Sequence, residues 1–206
     1  MASLIVAGEA VFVLPYYVTR FFRPTFLDVF EFTNTELGQA QAVYGVVAMV
    51  AYFPGGPLAD RFPARNLLAA SLALTAAGGL YMATIPGFLG MAMLWGFWGC
   101  TSILLLWAAL IRATREWGGP EGQGAAFGIL DGGRGLAGAL MAAAAAQALQ
   151  LLMPIDAAAA TLAQQTEALQ GVILTFSAAT FAAALVVWFG IPTLRPSGAD
   201  PSERGA

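Results

Sequence analysis

Apolar residues run in six long blocks along this chain, and each block approaches the roughly 20 residues that a helix needs to cross a bilayer core. The blocks fall at 4–24, 38–58, 67–86, 88–111, 125–151 and 170–191. Between them lie connections from Pro24 to Leu37, Ala59 to Asn66, Pro86 to Gly87, Arg112 to Gly124 and Leu152 to Leu169. From Pro192 onward the chain turns to proline, glycine, serine and charge, the composition of a flexible cytoplasmic tail or of the start of a central loop. The expected organisation is a six-helix transmembrane bundle over 1–191, followed by that segment over 192–206.

Composition fixes the class. With 59% hydrophobic and 10% charged residues the chain is predicted to be an all-α integral membrane protein. Its basic residues are all arginine; it has no histidine, and Cys100 is its one cysteine. An internal disulfide is excluded, and no histidine- or thiol-rich metal site can form. The first block carries Glu9 and lacks a basic leader, so it is read as a retained span rather than a signal peptide. Arginine placement sets the orientation, because cytoplasmic connections retain basic residues. Arg61, Arg65, Arg112, Arg115, Arg195 and Arg204 fall on one side, while Asp28, Glu31, Glu36, Asp156 and Glu167 fall on the other. Both termini are expected in the cytoplasm.

Charges inside the blocks are the candidate chemistry, since an ionisable group in a membrane helix is costly and ordinarily faces a bundle interior or an aqueous cavity. In the first span Glu9, Tyr16, Arg20 and Arg23 follow one another at seven, four and three residues, which places them along one helical stripe. The structural alternative is that Arg20 and Arg23 snorkel to the outer headgroups. In the fifth span Asp131 and Arg134 lie one turn apart, as a packing ion pair or a switchable one. Beside them Gly124, Gly128, Gly132 and Gly135 form a small-residue stripe that is read as a helix-packing surface, not a phosphate loop. The second span offers Gln41, Tyr44, Ala48 and Tyr52, and the fourth Trp95, Trp98 and Ser102. Aromatic rings with scattered amides and hydroxyls suit the pathway of an organic solute, and they also suit plain packing. Trp107 and Trp117 are read as marking the cytoplasmic interface. The third and sixth spans carry no charge and are expected at the periphery.

Between the second and third blocks stands Gly55-Gly56-Pro57-Leu58-Ala59-Asp60-Arg61-Phe62-Pro63-Ala64-Arg65, an acid and two arginines flanked by apolar sequence. Gly56, Leu58, Ala59, Asp60, Arg61 and Arg65 resemble the loop signature of the major facilitator superfamily, with Pro63 and Ala64 replacing its second glycine and first late arginine. The resemblance extends over essentially the whole chain, including Glu36-Leu37-Gly38-Gln39 and the run from Phe127 to Gly135. It implies a six-helix bundle of two inverted three-helix repeats, half of a major facilitator fold, with Gly56, Leu58, Asp60, Arg61 and Arg65 forming a conformational-switch loop. It also implies transport of a small organic solute by alternating access, with a second six-helix half as partner, whether from the same gene product, a separate chain or a second copy. The arginine that proton-driven drug antiporters of this family carry in the fourth helix is replaced by Trp95, so a coupled proton or ion would fall to Glu9 or Asp131.

The intramembrane arginines outnumber the acids, which tilts the expected solute towards an anion. The substrate pathway is then expected to draw on Glu9, Tyr16, Arg20, Gln41, Tyr44, Trp98, Ser102, Asp131 and Arg134. The competing class is a non-transporting regulatory or assembly subunit built on a half-transporter scaffold. An enzyme has no nucleophile and base to work with, and no cofactor, metal or nucleic acid is expected. The bacterial cytoplasmic membrane is the expected location.

Overall fold

The structure, a computed structural model, describes residues 1–152 and 160–192, and all regular structure among them is helical. Asp156, Arg195, Arg204 and the tail from 193 lie outside the described residues. The first helix starts as Ala2–Ala10, widens into a π-helical turn at Val13–Tyr17 and finishes as Val18–Phe21, with a bend of about 40°. Pro15 explains the turn: it has no N–H to donate, and its ring crowds the carbonyl one turn back. Its own carbonyl accepts the indole N–H of Trp95 at 3.0 Å.

A short helix, Arg23–Phe30, fills what the apolar pattern left as a connection. Pro24 sits in its first turn, where a missing N–H costs nothing, and Glu31 ends it in the left-handed region at φ 55°. Its inward face carries Phe26, fully buried, stacked on Phe30 at 4.2 Å and packed edge-on against Trp95 at 6.3 Å. These rings belong to one of the two clusters of the core.

The second helix, Asn34–Arg61, opens on a capping box. Thr33 Oγ1 accepts the Glu36 N–H at 3.2 Å, and the Thr33 N–H donates to Glu36 Oε2 at 2.8 Å, which holds the Glu36 carboxyl below the usual carboxylate range. At its other end the helix runs through Pro54 and Pro57 to Arg61, so the expected switch loop is two helical turns followed by a turn at Phe62 and Pro63. Packing accounts for this correction. Ala59 is buried, Leu58 packs on the inner core, and Arg112 from the fourth helix donates to the carbonyls of Ala59 and, at 3.0 Å, Phe62.

The third helix is Ala64–Met82. The fourth begins as Phe88–Gly99, passes through a second π-helical stretch at Cys100–Trp107 and continues to a break at Gly119, where φ is 63° and only glycine sits without strain. Pro120 then starts the fifth helix, which reaches Leu152. The predicted connection from Arg112 to Gly124 is therefore helical except at that break. The sixth helix, Leu162–Gly190, starts earlier than the apolar pattern suggested because Thr161 and Gln164 form another capping box.

Hydroxyls hold the π stretch of the fourth helix. Ser71 Oγ donates to the Thr101 carbonyl at 2.6 Å, Ser102 Oγ donates to the Trp98 carbonyl at 2.5 Å, and the Trp98 indole donates to the Thr75 carbonyl at 3.1 Å. The third helix packs along the sixth, the second along the fourth, and the first along the fifth. Glycines set these distances. A Cβ on Gly78 would stand 2.6 Å from Trp98 Nε1, and one on Gly99 would stand 2.9 Å from the Tyr44 carbonyl oxygen. The third and sixth helices each bury one face against the bundle and expose another, with Leu80 and Tyr81 outward on the third and Phe181 and Phe189 on the sixth.

By length and composition, three helices qualify as membrane-crossing when the fourth and fifth are counted as one, Phe88–Ala144, or four if the bent first pair counts as one span. Ala64–Met82 falls outside that set, its first turn carrying Arg65 and Asn66. Because Gly99 meets backbone rather than a movable side chain, Gly99→Ala should lower stability by about 1–3 kcal/mol, the usual cost of overpacking. Gly45→Ala, which meets nothing within 4 Å, should cost nothing. Thermal unfolding of the two variants in detergent checks the contrast.

Candidate functional site

A cleft of about 470 Å³ lies between the first and fifth helices, lined by Glu9, Tyr17, Arg20, Asp131 and Arg134 among others. Its centre is an ion pair: Arg134 Nε stands 3.6 Å from Glu9 Oε2. The two side chains are 19% and 13% exposed, whereas Asp131, 3.4 Å from Arg134 Nη1, is 71% exposed. Sequence spacing pointed to Asp131 as the partner of Arg134, and the geometry makes Glu9 the buried one. A local i, i+3 contact is visible in sequence, while a contact between the first and fifth helices is not.

Three glycines make this approach possible. A Cβ on Gly8 would lie 2.8 Å from Arg134 Cδ, so the arginine stem crosses the first helix through the gap that Gly8 leaves, and its Nε donates to the Gly8 carbonyl at 3.2 Å. A Cβ on Gly138 would lie 2.9 Å from both Glu9 Oε1 and Tyr17 Oη. Gly133 takes Ile5 in the same way. The glycines expected to form the packing stripe, Gly124, Gly128, Gly132 and Gly135, have open space within 4 Å, and Gly135 borders the cleft. The packed face is the opposite one: Ala126 and Leu130, buried, each stand two residues, or roughly 200°, beyond Gly124 and Gly128.

Tyr17, which spacing did not select, donates its hydroxyl to Glu9 Oε1. The π turn is the reason. It adds a residue to the turn between Glu9 and Arg20, so Tyr17 takes the place that regular periodicity assigns to Tyr16. Tyr16 points elsewhere, its ring 5.2 Å from that of Tyr44. Pro15 within an apolar helix was the available signal.

Gln41, Tyr44, Trp98 and Ser102 also lie away from the cleft, in the packed interior. Gln41 Nε2 donates to Thr19 Oγ1 at 3.1 Å, Tyr44 Oη and Ser102 Oγ share a hydrogen bond of 2.6 Å, and Trp98 is fully buried. Trp95 is buried with it, and Tyr52 is exposed. Arg23 leaves the predicted stripe to bond Asn34 Oδ1 at 2.9 Å. Arg20 borders the cleft with its guanidinium 5.8 Å from the Phe21 ring, and no ion pair engages it among the described residues.

At the C-terminal end of the second helix, Asp60 and Arg61 are exposed and Gly56 has open space around it. Arg65 lies 4.5 Å over the Trp188 ring and ties the third helix to the end of the sixth. Arg112 pairs with Glu116 at 3.3 Å while it bonds the second helix. Among the described residues no group of histidine, cysteine or acidic side chains is arranged to hold a metal.

The sequence model of the Major Facilitator Superfamily matches residues 5–206, and the chain belongs to that superfamily of membrane transporters. Inner membrane protein YihN of Escherichia coli (strain K12) is 31% identical over 139 residues, 68% of this chain and 33% of that protein. Inner membrane protein YqcE of the same strain is 28% identical over 158 residues, 77% of this chain and 35% of its own length. The uncharacterized protein MG294 homolog of Mycoplasma pneumoniae is 30% identical over 151 residues, 67% of this chain and 32% of that one. The matched part spans about a third of the length of these relatives. No solved structure matches the chain.

Removing one member of a buried pair leaves the other unmet, whereas removing both does not. Arg134→Ala should therefore destabilise the protein by about 2 kcal/mol, below the 3–5 kcal/mol of fully buried pairs. Glu9→Ala added to it should restore part of the loss, and Asp131→Ala alone should change little. A melting series of the variants in one detergent would test the assignment, and an Asp131→Ala loss as large as that of Arg134→Ala would reverse it.

Proposed function

We propose that this chain is the six-helix half of a secondary transporter that carries a small organic anion by alternating access. The single observation that carries the reading is the cleft with Glu9, Arg20, Asp131 and Arg134 on its walls, of which Glu9 and Arg134 are largely buried in an apolar bundle. Within it two arginines face two carboxylates, because Arg23 is engaged at the outer end by Asn34. Glu9 and Arg134 neutralise one another, and Asp131 is exposed. Arg20, which no ion pair engages among the described residues, is one cation that a solute carboxylate would meet, and the preference for an anion rests on it. Glu9 and Asp131 are the groups on which a coupled proton or ion would act.

The inverted-repeat reading draws support from the pairing of helices. If the first three helices map onto the last three, the pairs first with fifth and fourth with second exchange, as do first with sixth and fourth with third, and the pair third with sixth maps onto itself; all of these pairs pack. The two π-helical stretches also fall on the first and fourth helices, which that mapping makes equivalent. A second six-helix half, as a continuation of the same gene product or as a separate copy, would complete the transport unit around the cleft. That chain length accords with relatives about three times as long as the matched part. Asp60, Arg61 and Arg65 serve the conformational switch at the cytoplasmic end, away from the solute. Relatives named as inner membrane proteins support a place in the bacterial inner membrane, and the arginine placement supports termini on the inside.

Two measurements test this reading. In a Cys100→Ser background, a cysteine at Ala160 should react with an impermeant maleimide from outside, and one at Phe62 only after permeabilisation; the reverse pattern would invert the topology. In proteoliposomes holding the complete transporter, D-gluconate counterflow should fall by about tenfold or more in Arg20→Ala, the order expected for loss of a charge-assisted contact. Unchanged flux in that variant would remove the case for an anion.

A further inference from the structure

Arg134 is held on several sides and yet is not saturated. Its guanidinium carbon lies 5.9 Å from the Phe12 ring centre and 5.5 Å from that of Trp107, and its stem lies in the gap at Gly8. A structural arginine–carboxylate pair is ordinarily two-pronged, both oxygens of the acid meeting two N–H groups of the fork. Here Glu9 Oε2 stands 3.6 Å from Nε, whose N–H donates to the Gly8 carbonyl at 3.2 Å, while Glu9 Oε1 accepts the Tyr17 hydroxyl. Nη1 has only a long 3.4 Å contact to the exposed Asp131, and Nη2 has no partner among the described residues, on a side chain that borders the cleft. Of the five N–H donors of this arginine, one goes to the Gly8 carbonyl and one to Asp131, and the other three have no partner among the described residues.

We propose that Tyr17 and Glu9 form a positioning pair for Arg134. By bonding one oxygen of Glu9, the Tyr17 hydroxyl turns the other towards Nε and keeps Glu9 from engaging the Nη edge, which stays available to the anionic group of a solute. Gly138 is part of the device, since the bonded Tyr17–Glu9 pair occupies the space that a side chain at 138 would fill. The solute part of this inference rests on the transporter reading above. The positioning part rests on the geometry alone.

Trp107 supplies a reporter that needs no solute, because its indole lies against the Arg134 guanidinium. Its contribution to emission is obtained by subtracting, for each variant of the complete transporter in nanodiscs, the spectrum of the matching Trp107→Phe protein. Tyr17→Phe and Glu9→Gln should each shift that contribution, and the double variant should shift it no further, because both act on the same bond. Gly138→Ala, which leaves both side chains in place and crowds their contact, should give a shift in the same direction. Additive shifts in the double variant, or no shift in Tyr17→Phe and Gly138→Ala, would overturn the positioning pair.

The solute arm uses D-gluconate counterflow. Tyr17→Phe should raise KM about tenfold with kcat held within about twofold, the pattern of a lost ground-state contact worth one charge-assisted hydrogen bond. A carried gluconate whose KM is unaffected by Tyr17→Phe would overturn the proposal. If the parent protein carries no gluconate and the emission shifts are non-additive, the proposed solute class fails while the positioning pair stands.

Discussion

A carbonyl released from its helical ladder inside a bilayer has no water to turn to, and the architecture of this chain depends on how each such group is met. Pro15 disturbs the first helix, and its own carbonyl receives an indole N–H from Trp95. The π stretch of the fourth helix loosens its ladder, and Ser71, Ser102 and Thr101 bring hydroxyls to the carbonyls there. The second helix ends at Arg61, and Arg112 reaches across to its last carbonyls. Each of these partners comes from a neighbouring helix or from the turn itself. The places where the helices depart from regularity are therefore also the places where they are fastened together.

Much of this was legible in the chain as a linear pattern, and the misses share one cause. Block lengths gave the long helices, because burial in lipid requires continuous apolar sequence whatever the packing. Helix ends were misplaced where polar residues cap rather than interrupt: Thr33 with Glu36 and Thr161 with Gln164 start helices that hydropathy alone begins later. The short helix Arg23–Phe30 was hidden by Pro24 and Asp28, which break an apolar run without breaking a helix. At the switch segment, Gly55, Gly56, Pro54 and Pro57 read as a loop by propensity, and tertiary contacts through Ala59 and Arg112 override that preference.

For the site, the residue types were readable and the partners were not. Glu9, Arg20, Asp131 and Arg134 stand out in any membrane helix because lipid penalises them. That they border one cleft depends on how the first and fifth helices meet. Tyr17 was missed because the stripe was drawn at 3.6 residues per turn through a segment that does not keep it. The polar residues Gln41, Tyr44 and Ser102 were grouped with the cleft by chemistry alone. Their hydrogen bonds run to Thr19 and to one another, the pattern of groups that fix the packing of the first, second and fourth helices.

The glycine gaps connect packing with chemistry. Gly8 lets Arg134 cross the first helix, and Gly138 lets Glu9 and Tyr17 sit against the fifth, so each helix supplies both a charge and the space for the other's charge. Because the fit is reciprocal, the ion pair forms only at one separation and one register of the two helices. A shift of a few ångströms between them would leave a carboxylate and a guanidinium apart in a medium where each alone is costly. On the proposed reading, a motion of the first helix against the fifth would be tied to the charge state of the cleft. Occupancy of the cleft by an anion, which could take over the guanidinium, would relax that tie. In this geometry the group that holds the helices together is the same group that a solute would engage, and a neutral packing contact in its place could keep the fold without offering that link.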